Sequence, residues 1–287
     1  MEKAADPATN LRLLCQVLGV SRSGYYGWCK RLASDPVGRA AENAELLAEI
    51  RTIHAQFGYY GSPRVHRELL ARRQRTGRHR VARLMRTHGI RARRGKRKAR
   101  PRSAPPARRP EVTDRVRRQF AAPVPDALWF TDVTELVTGE GRLFTAVVLD
   151  AFNREVVSWA TDGYQTPRTA LRALQEAIWA PRPQPGCVVH SDRGNQFTSR
   201  EWLDLAASNG LEVSIGERSN ALDNAAIESW FSSFKSEAIH PYPLPKTRAE
   251  ARTTLFRYIW AYNTQRLHSA LGYVPPTHYR AHASTCP

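Results

Sequence analysis

The sequence has 287 residues, and its 44 Lys and Arg against 26 Asp and Glu give a formal net charge of +18 at neutral pH. With 41% hydrophobic residues, the chain has enough apolar material for one large or two modest folded domains, which excludes a wholly disordered basic tail. Its apolar stretches are too short to cross a bilayer, and the N-terminus lacks a signal-peptide pattern. We therefore expect a soluble cytoplasmic protein with a polyanionic partner and no membrane association.

The positive charge is concentrated in one segment of the chain. Residues 64–118 contain 22 Lys and Arg but only three acidic residues, a net charge of +19, whereas the other 232 residues have a net charge of −1. A basic block of this size beside a nearly neutral body is typical of a protein that binds a nucleic-acid backbone.

Residues 1–40 are predicted to form a helical, helix-turn-helix-like segment. The stretches LRLLCQVLG and SRSGYYGWCKRL give two short helices separated near Gly19, with Ser21 as the N-cap of the second. A plain helical hairpin explains the pattern equally well, because any two short helices around a glycine produce it.

Residues 41–90 are predicted to form a basic helical domain. Apolar residues recur with a period near 3.6 up to Phe57, and two further helices follow, beginning near Pro63 and ending near Gly89. Their arginines have almost no acidic neighbours, which favours a phosphate-binding surface over a solvated charged face. The nucleic-acid contacts predicted here are Arg64, Arg67, Arg80 and Arg83.

Residues 91–120 are predicted to be an Arg- and Pro-rich linker. The stretch RARRGKRKARPRSAPPARRP has no aliphatic side chain larger than Ala, so it cannot build a core of its own. We expect it to lie on a nucleic-acid backbone, with a nuclear-localisation-like signal or a solubilising spacer as the alternatives. The predicted contacts are Arg94, Lys96, Arg97 and Lys98.

Residues 121–240 are predicted to form a domain of alternating strands and helices. Residues 241–287 are predicted to be a C-terminal helix and cap. Strand-like segments at 127–137 and 142–152 flank a GEG turn, and a third strand completes a meander. A helix and then alternating short strands and helices follow. This order is typical of a ribonuclease-H-like α/β domain, with a mixed five-stranded sheet and flanking helices.

Three acidic residues stand at informative places in this predicted domain. Asp132 falls in the middle of the first strand, Asp192 at the carboxyl end of a short apolar strand, and Glu228 on a largely apolar helix. Each alone is explained by an ion pair, a turn or a helix surface. Together, hard oxygen ligands on two strands and a facing helix suit Mg²⁺ or Mn²⁺.

Four motifs carry a family resemblance, and they occur in order at WFTDVTEL (129–136), VHSDRGNQFTS (189–199), DNAAIESWFSSFKSE (223–237) and YNTQRLHSALGYVPP (262–276). They resemble the integrase core of bacterial insertion-sequence transposases of the OrfB type, a ribonuclease-H-like family. The 35 residues between Asp192 and Glu228 match the DD35E spacing of that family. Upstream, LCQVLGVSRSGYYGW (14–28) and IRTIHAQFGYYGSPRVHRELL (50–70) resemble the helical part of the same proteins.

The resemblance implies a DDE polynucleotidyl transferase that cleaves DNA at insertion-sequence ends and joins it to target DNA by 3′-OH attack. Asp132, Asp192 and Glu228 would be the catalytic residues and the ligands of two Mg²⁺ or Mn²⁺ ions. Lys235, seven residues after Glu228, would approach the DNA backbone, with a merely exposed lysine as the alternative. One departure is Ser219-Asn220, where the family often has Gly-Asn.

The resemblance also implies partners: the terminal inverted repeats, target DNA, further copies of the chain in a dimer or higher oligomer, and the product of an upstream reading frame. Zinc is not expected, because the four scattered cysteines lack zinc-site spacing. Two alternative functions stay open at this point. One is a ribonuclease-H-like nuclease without joining activity, and the other is a catalytically idle DNA-binding regulator of transposition.

Overall fold

A computed structural model of the chain describes residues 7–33, 38–93, 115–116, 121–180, 183, 185–216 and 224–283. The chain divides into two compact units, Met1–Ala92 and Arg93–Pro287. Within the described residues, the first unit is built from helices, and the second is built on a mixed β-sheet covered by helices.

The first unit begins with a short helical pair, followed by three helices that pack together. Ser21 caps the second helix as predicted, since its Oγ accepts a hydrogen bond from the Gly24 amide at 3.0 Å. The last three helices bury Ile50, Val65 and Val81 completely, and these side chains form their common core. The helices are α1 (Pro7–Val17), α2 (Arg22–Ala33), α3 (Arg39–Gln56), α4 (Ser62–Ala71) and α5 (Arg78–Thr87).

The second unit contains a five-stranded sheet in the order β3-β2-β1-β4-β5. The first three strands form an antiparallel meander, whereas β4 and β5 run parallel to β1. The predicted mixed five-stranded sheet of a ribonuclease-H-like core is thereby confirmed. The strands are β1 (Leu128–Thr138), β2 (Gly141–Asp150), β3 (Val156–Asp162), β4 (Val188–Ser191) and β5 (Glu212–Ile215).

Helices cover both faces of this sheet because side chains alternate along each strand. On β1, Trp129 belongs to the core under α6 and α7, whereas Phe130 belongs to the core under α8 and α9. A single π-helical turn, Lys235–Ile239, continues α8. The helices of this unit are α6 (Pro167–Trp179), α7 (Arg200–Ser208), α8 (Ala225–Phe234), α9 (Arg248–Thr264) and α10 (Pro276–Ala283).

A buried ion pair ties the segment after α9 to the π-helical turn. The Arg266 guanidinium donates to both carboxylate oxygens of Glu237, at 2.7 and 2.9 Å, and the two side chains are 3% and 1% exposed. The Tyr258 hydroxyl donates a third hydrogen bond to Glu237 at 3.0 Å. This geometry satisfies the carboxylate that the helix buries, so the pair fixes the C-terminal segment against the core.

A second charged cluster holds α10 near the start of β1. Arg280 pairs with Asp126 and lies 3.8 Å from carboxylate oxygens of both Asp150 and Glu155. Asp150 is completely buried at the end of β2 and accepts hydrogen bonds from the amides of Asp126 and Phe152. Burial raises the pKa of Asp150 to about 6, although the Phe152 and Asp126 amides act to lower it.

Replacing Arg266 should be strongly destabilising. Arg266→Met leaves the Glu237 carboxylate buried without its partner, and we expect a loss of about 3–5 kcal/mol in the free energy of unfolding, measured by urea denaturation. The double variant Arg266→Met/Glu237→Leu should recover most of the loss, because it removes both charges. Arg142→Met, which breaks the exposed pair with Glu135, is the control and should cost less than about 1 kcal/mol.

The stability of the protein should depend on the protonation of Asp150. Its folded-state pKa of about 6 lies above the reference value of 3.8, so the folded protein holds this proton more tightly than the unfolded chain. The stabilisation is present below pH 4 and is lost as the pH rises to about 6, by about 3 kcal/mol. The charged groups of this cluster are Asp126, Arg154, Glu155 and Arg280.

The measurement is urea unfolding of the wild type and Asp150→Asn between pH 4 and 7. The variant keeps a neutral side chain, so its stability relative to the wild type should increase as the pH rises. Asp204→Asn, on the exposed face of α7, is the control. A constant difference between wild type and Asp150→Asn across this range would contradict the assignment.

Candidate active site

The parallel pairing of β1 with β4 brings two of the predicted ligands to one place. Thr131 on β1 pairs with Ser191 on β4, and the next residues along the two strands are Asp132 and Asp192. One pair earlier, the rings of Phe130 and His190 meet edge to face with centroids 6.0 Å apart. Extending this register by one residue puts the two aspartates side by side, at the carboxyl end of β4.

Main-chain amides orient both aspartates. Asp132 is half-buried, and its Oδ1 accepts a hydrogen bond from the Val133 amide at 2.7 Å. Asp192 is exposed, and its Oδ1 accepts one from the Gly194 amide at 2.9 Å. Carboxylate oxygens oriented in this way are the ligand type that a hard cation prefers.

Glu228 lies in the first turn of α8 and is exposed. The start of this helix is attached to β1 by Asn224, whose side-chain amide lies 3.5 Å from the Thr131 carbonyl oxygen. The Asn224 carbonyl accepts the Glu228 amide at 3.0 Å, and Asn224 Oδ1 is buried without a hydrogen-bond partner. The helix that carries Glu228 therefore starts beside the residue preceding Asp132. Ser219-Asn220 lies outside the described residues.

The structure does not gather the three carboxylates into one ligand cluster. In the part of the chain that is described, no three His, Cys, Asp or Glu side chains are arranged to hold a metal ion. The donor set itself consists of carboxylate oxygens, which fits Mg²⁺ or Mn²⁺ by its chemistry. The pair Asp132 and Asp192 follows from the strand register, and Glu228 lies on the helix above.

Lys235 reaches the same strand as Asp132. Its Nζ donates a hydrogen bond to Thr134 Oγ1 at 2.6 Å, and the lysine is half-buried while Thr134 is buried. Sequence reasoning placed Lys235 two helical turns after Glu228 but missed this contact. Thr134 stands two residues after Asp132, so strand alternation gave a signal that it shares the face of the carboxylate.

The four arginines predicted as DNA contacts in the first unit have different environments. Arg67 and Arg83 are exposed. Arg64 lies over the Tyr60 ring at 5.8 Å, and Arg80 donates to Asn43 and Glu42 of α3 at 2.8 and 2.9 Å. Arg80 therefore also joins α5 to α3. Arg94, Lys96, Arg97 and Lys98 lie outside the described residues.

Sequence profiles of known families match most of the chain. An integrase core domain profile matches residues 122–221, and a second integrase core domain profile matches residues 209–276. An HTH-like domain profile matches residues 41–98, which include most of α3 and all of α4 and α5. The helix-turn-helix-like match thus falls on the basic helical segment and not on the helical pair α1 and α2.

Curated relatives match nearly the full chain. The transposase InsF of insertion sequence IS3A from Escherichia coli K12 is 33% identical over 274 residues, covering 94% of this chain and 93% of the relative. The chain belongs to the bacterial insertion-sequence transposases. An uncharacterized 31 kDa protein of insertion element IS600 from Shigella sonnei is 34% identical over 269 residues, covering 93% and 97%. The transposase of insertion sequence element IS904 from Lactococcus lactis is 32% identical over 253 residues, covering 87% and 98%.

A solved structure supports the fold of this transposase. The simian T-cell lymphotropic virus intasome, determined in complex with the PP2A regulatory subunit B56 gamma, contains a chain that aligns with a TM-score of 0.51 at 15% identity. The alignment covers 83% of the transposase and 76% of the viral chain. The integrase core domain profile and the transposase relatives show that the enzyme is of the polynucleotidyl transferase type, and its integrase core family depends on divalent metal. Among its described residues, the transposase has no helix long and apolar enough to span a membrane.

Proposed function

We propose that Asp132, Asp192 and Glu228 are the catalytic residues of this transposase and hold two divalent cations, Mg²⁺ or Mn²⁺. The observation that carries the proposal is the β1–β4 register, which pairs Thr131 with Ser191 and, extended by one residue, sets Asp132 beside Asp192 at the carboxyl end of a parallel strand. When bound, two such cations would supply activation of the attacking oxygen and stabilisation of the leaving oxygen in an in-line phosphodiester displacement. Asp132 would be a ligand of both ions, Asp192 of one and Glu228 of the other.

The residues of the chain orient this reaction and do not enter it covalently. The Val133 and Gly194 amides hold the two aspartates, and Asn224 attaches the start of the Glu228 helix to β1. Cleavage at the element end breaks a phosphodiester by attack of water and releases a 3′-OH. Strand transfer repeats the displacement with that 3′-OH as nucleophile, and the displaced 3′-oxygen of the target leaves.

The proposed DNA ligands are the terminal inverted repeats and the target DNA. An HTH-like domain in a transposase implies DNA binding, and the exposed Arg67 and Arg83 give α4 and α5 a phosphate-binding surface. The basic segment with Arg94, Lys96, Arg97 and Lys98 adds non-specific contacts. Two element ends must be held together, so we propose a dimer or higher oligomer on DNA, associated with the nucleoid and with the product of an upstream reading frame.

Neutralising any of the three carboxylates should abolish catalysis while leaving DNA binding intact. For Asp132→Asn, Asp192→Asn and Glu228→Gln, we expect cleavage and joining of terminal-repeat oligonucleotides in Mg²⁺ to fall by at least about 10²–10³-fold. The measurement follows a labelled oligonucleotide with a free 3′-OH as it joins a plasmid. Asp204→Asn serves as the matched control. Strand transfer retained by any of the three variants would remove that residue from the catalytic set.

Neutralising exposed arginines of the first unit should weaken binding to DNA of any sequence. Arg67→Gln/Arg83→Gln removes two cations, so the slope of log affinity against log salt should decrease in magnitude by about 2. Fluorescence anisotropy at several salt concentrations measures this slope. Arg142→Gln, an exposed arginine of the second unit, is the control. An unchanged slope in the double variant would show that these arginines form a solvated surface that does not contact DNA.

A further inference from the structure

Asp132, Thr134 and Lys235 meet on one face of β1. Residues two apart on a strand point the same way, and their Cα atoms are separated by about 7 Å. Asp132 and Thr134 therefore continue the face of Phe130, which packs against α8 and α9. Since Lys235 Nζ lies 2.6 Å from Thr134 Oγ1, its positive charge lies on the face that carries the Asp132 carboxylate.

The helix geometry fixes the lysine in this position. Lys235 is the first residue of the π-helical turn that ends α8, and its carbonyl accepts the His240 amide at 2.7 Å. Phe234, immediately before it, is completely buried in the core between helix and sheet. The same π-helical turn contains Glu237, and the buried ion pair of Glu237 with Arg266 fixes the turn against the core. The backbone of Lys235 is therefore held in a rigid element, whereas the rotatable bonds of its side chain allow the ammonium group to change position.

We propose that Lys235 is an internal cation that competes with divalent ions for the Asp132 face, and that DNA binding relieves this competition. This inference rests on the metal-binding role proposed for Asp132. An ammonium group on the face of a carboxylate repels a second cation, so metal binding requires Lys235 to leave Thr134. A DNA phosphate offers the ammonium an alternative partner. Lys235 thereby couples DNA binding to metal binding, and the coupling is reciprocal.

The first test is Mn²⁺ binding to the full-length protein without DNA, followed by electron paramagnetic resonance. Lys235→Met keeps an apolar stem of similar length and removes the charge, so we expect Mn²⁺ affinity to rise at least about fivefold. Thr134→Val removes the acceptor and should give an intermediate increase. Lys235→Arg keeps the charge and should stay near the wild type. Lys246→Met, the same charge change at an exposed site, should leave the affinity unchanged.

The second test repeats the Mn²⁺ titration with a DNA duplex containing an element end. DNA should raise the Mn²⁺ affinity of the wild type by a larger factor than that of Lys235→Met, because only the wild type has an ammonium to release. Circular dichroism of each variant checks folding, and Thr134→Val and Lys235→Arg provide the comparison if Lys235→Met does not fold.

The outcomes separate this inference from the proposed function. Asp132→Asn must abolish the measured binding, which shows that the signal comes from this face. If the wild type and Lys235→Met bind Mn²⁺ equally and both respond equally to DNA, the inference is overturned and the metal site stands. If neither the wild type nor Lys235→Met binds Mn²⁺, with or without DNA, both the metal site and the inference fall.

Discussion

The hydrogen bonding of β4 alongside β1 is the constraint on which the proposed active centre depends. An antiparallel meander alone would carry Asp132 on a strand with no second acidic residue beside it. The parallel neighbour supplies Asp192 at the matching position, and it also joins the helix layer of α6 and α7 to that of α8 and α9. The same strand pairing therefore builds the core and aligns the carboxylates of Asp132 and Asp192. A shift of one residue in register would separate them.

Much of this arrangement follows from local sequence. Local patterns predicted the three-stranded meander, the apolar β4 and the helices. The spacing of apolar residues, every second residue in a strand and about every 3.6 residues in a helix, indicates which side chains are buried. The family motifs then indicated Asp132, Asp192 and Glu228. The contacts of Lys235 with Thr134 and of Arg266 with Glu237 were not predictable, since they join side chains 101 and 29 residues apart in the chain. No periodic pattern reports such pairs. The position of the start of α8 beside β1 was not predictable either, since the contact of Asn224 with Thr131 joins residues 93 apart in the chain.

Charged residues in different parts of the chain have different roles. The excess of Lys and Arg lies in residues 64–118, while the remaining sequence is close to neutral. Within the second unit, arginines such as Arg266 and Arg280 are engaged with carboxylates of the core, so they serve structure. Lys235 differs from both groups because it donates a hydrogen bond to a neutral hydroxyl on the strand that carries Asp132, a proposed catalytic carboxylate.

The side chain of Asn263 has a consequence for how the protein is made. It donates to the Val156 carbonyl and accepts from the Val156 amide, both at 2.9 Å, and so occupies hydrogen-bonding groups on the outer strand β3. Unpaired groups on an outer strand invite pairing with other chains. Asn263 is synthesised 107 residues after Val156. At ribosomal rates of roughly 5–20 residues per second, a nascent chain leaves these two groups of Val156 without Asn263 for about 5–20 s. During that interval the start of β3 is open to pairing with another chain, and the arrival of Asn263 ends this exposure.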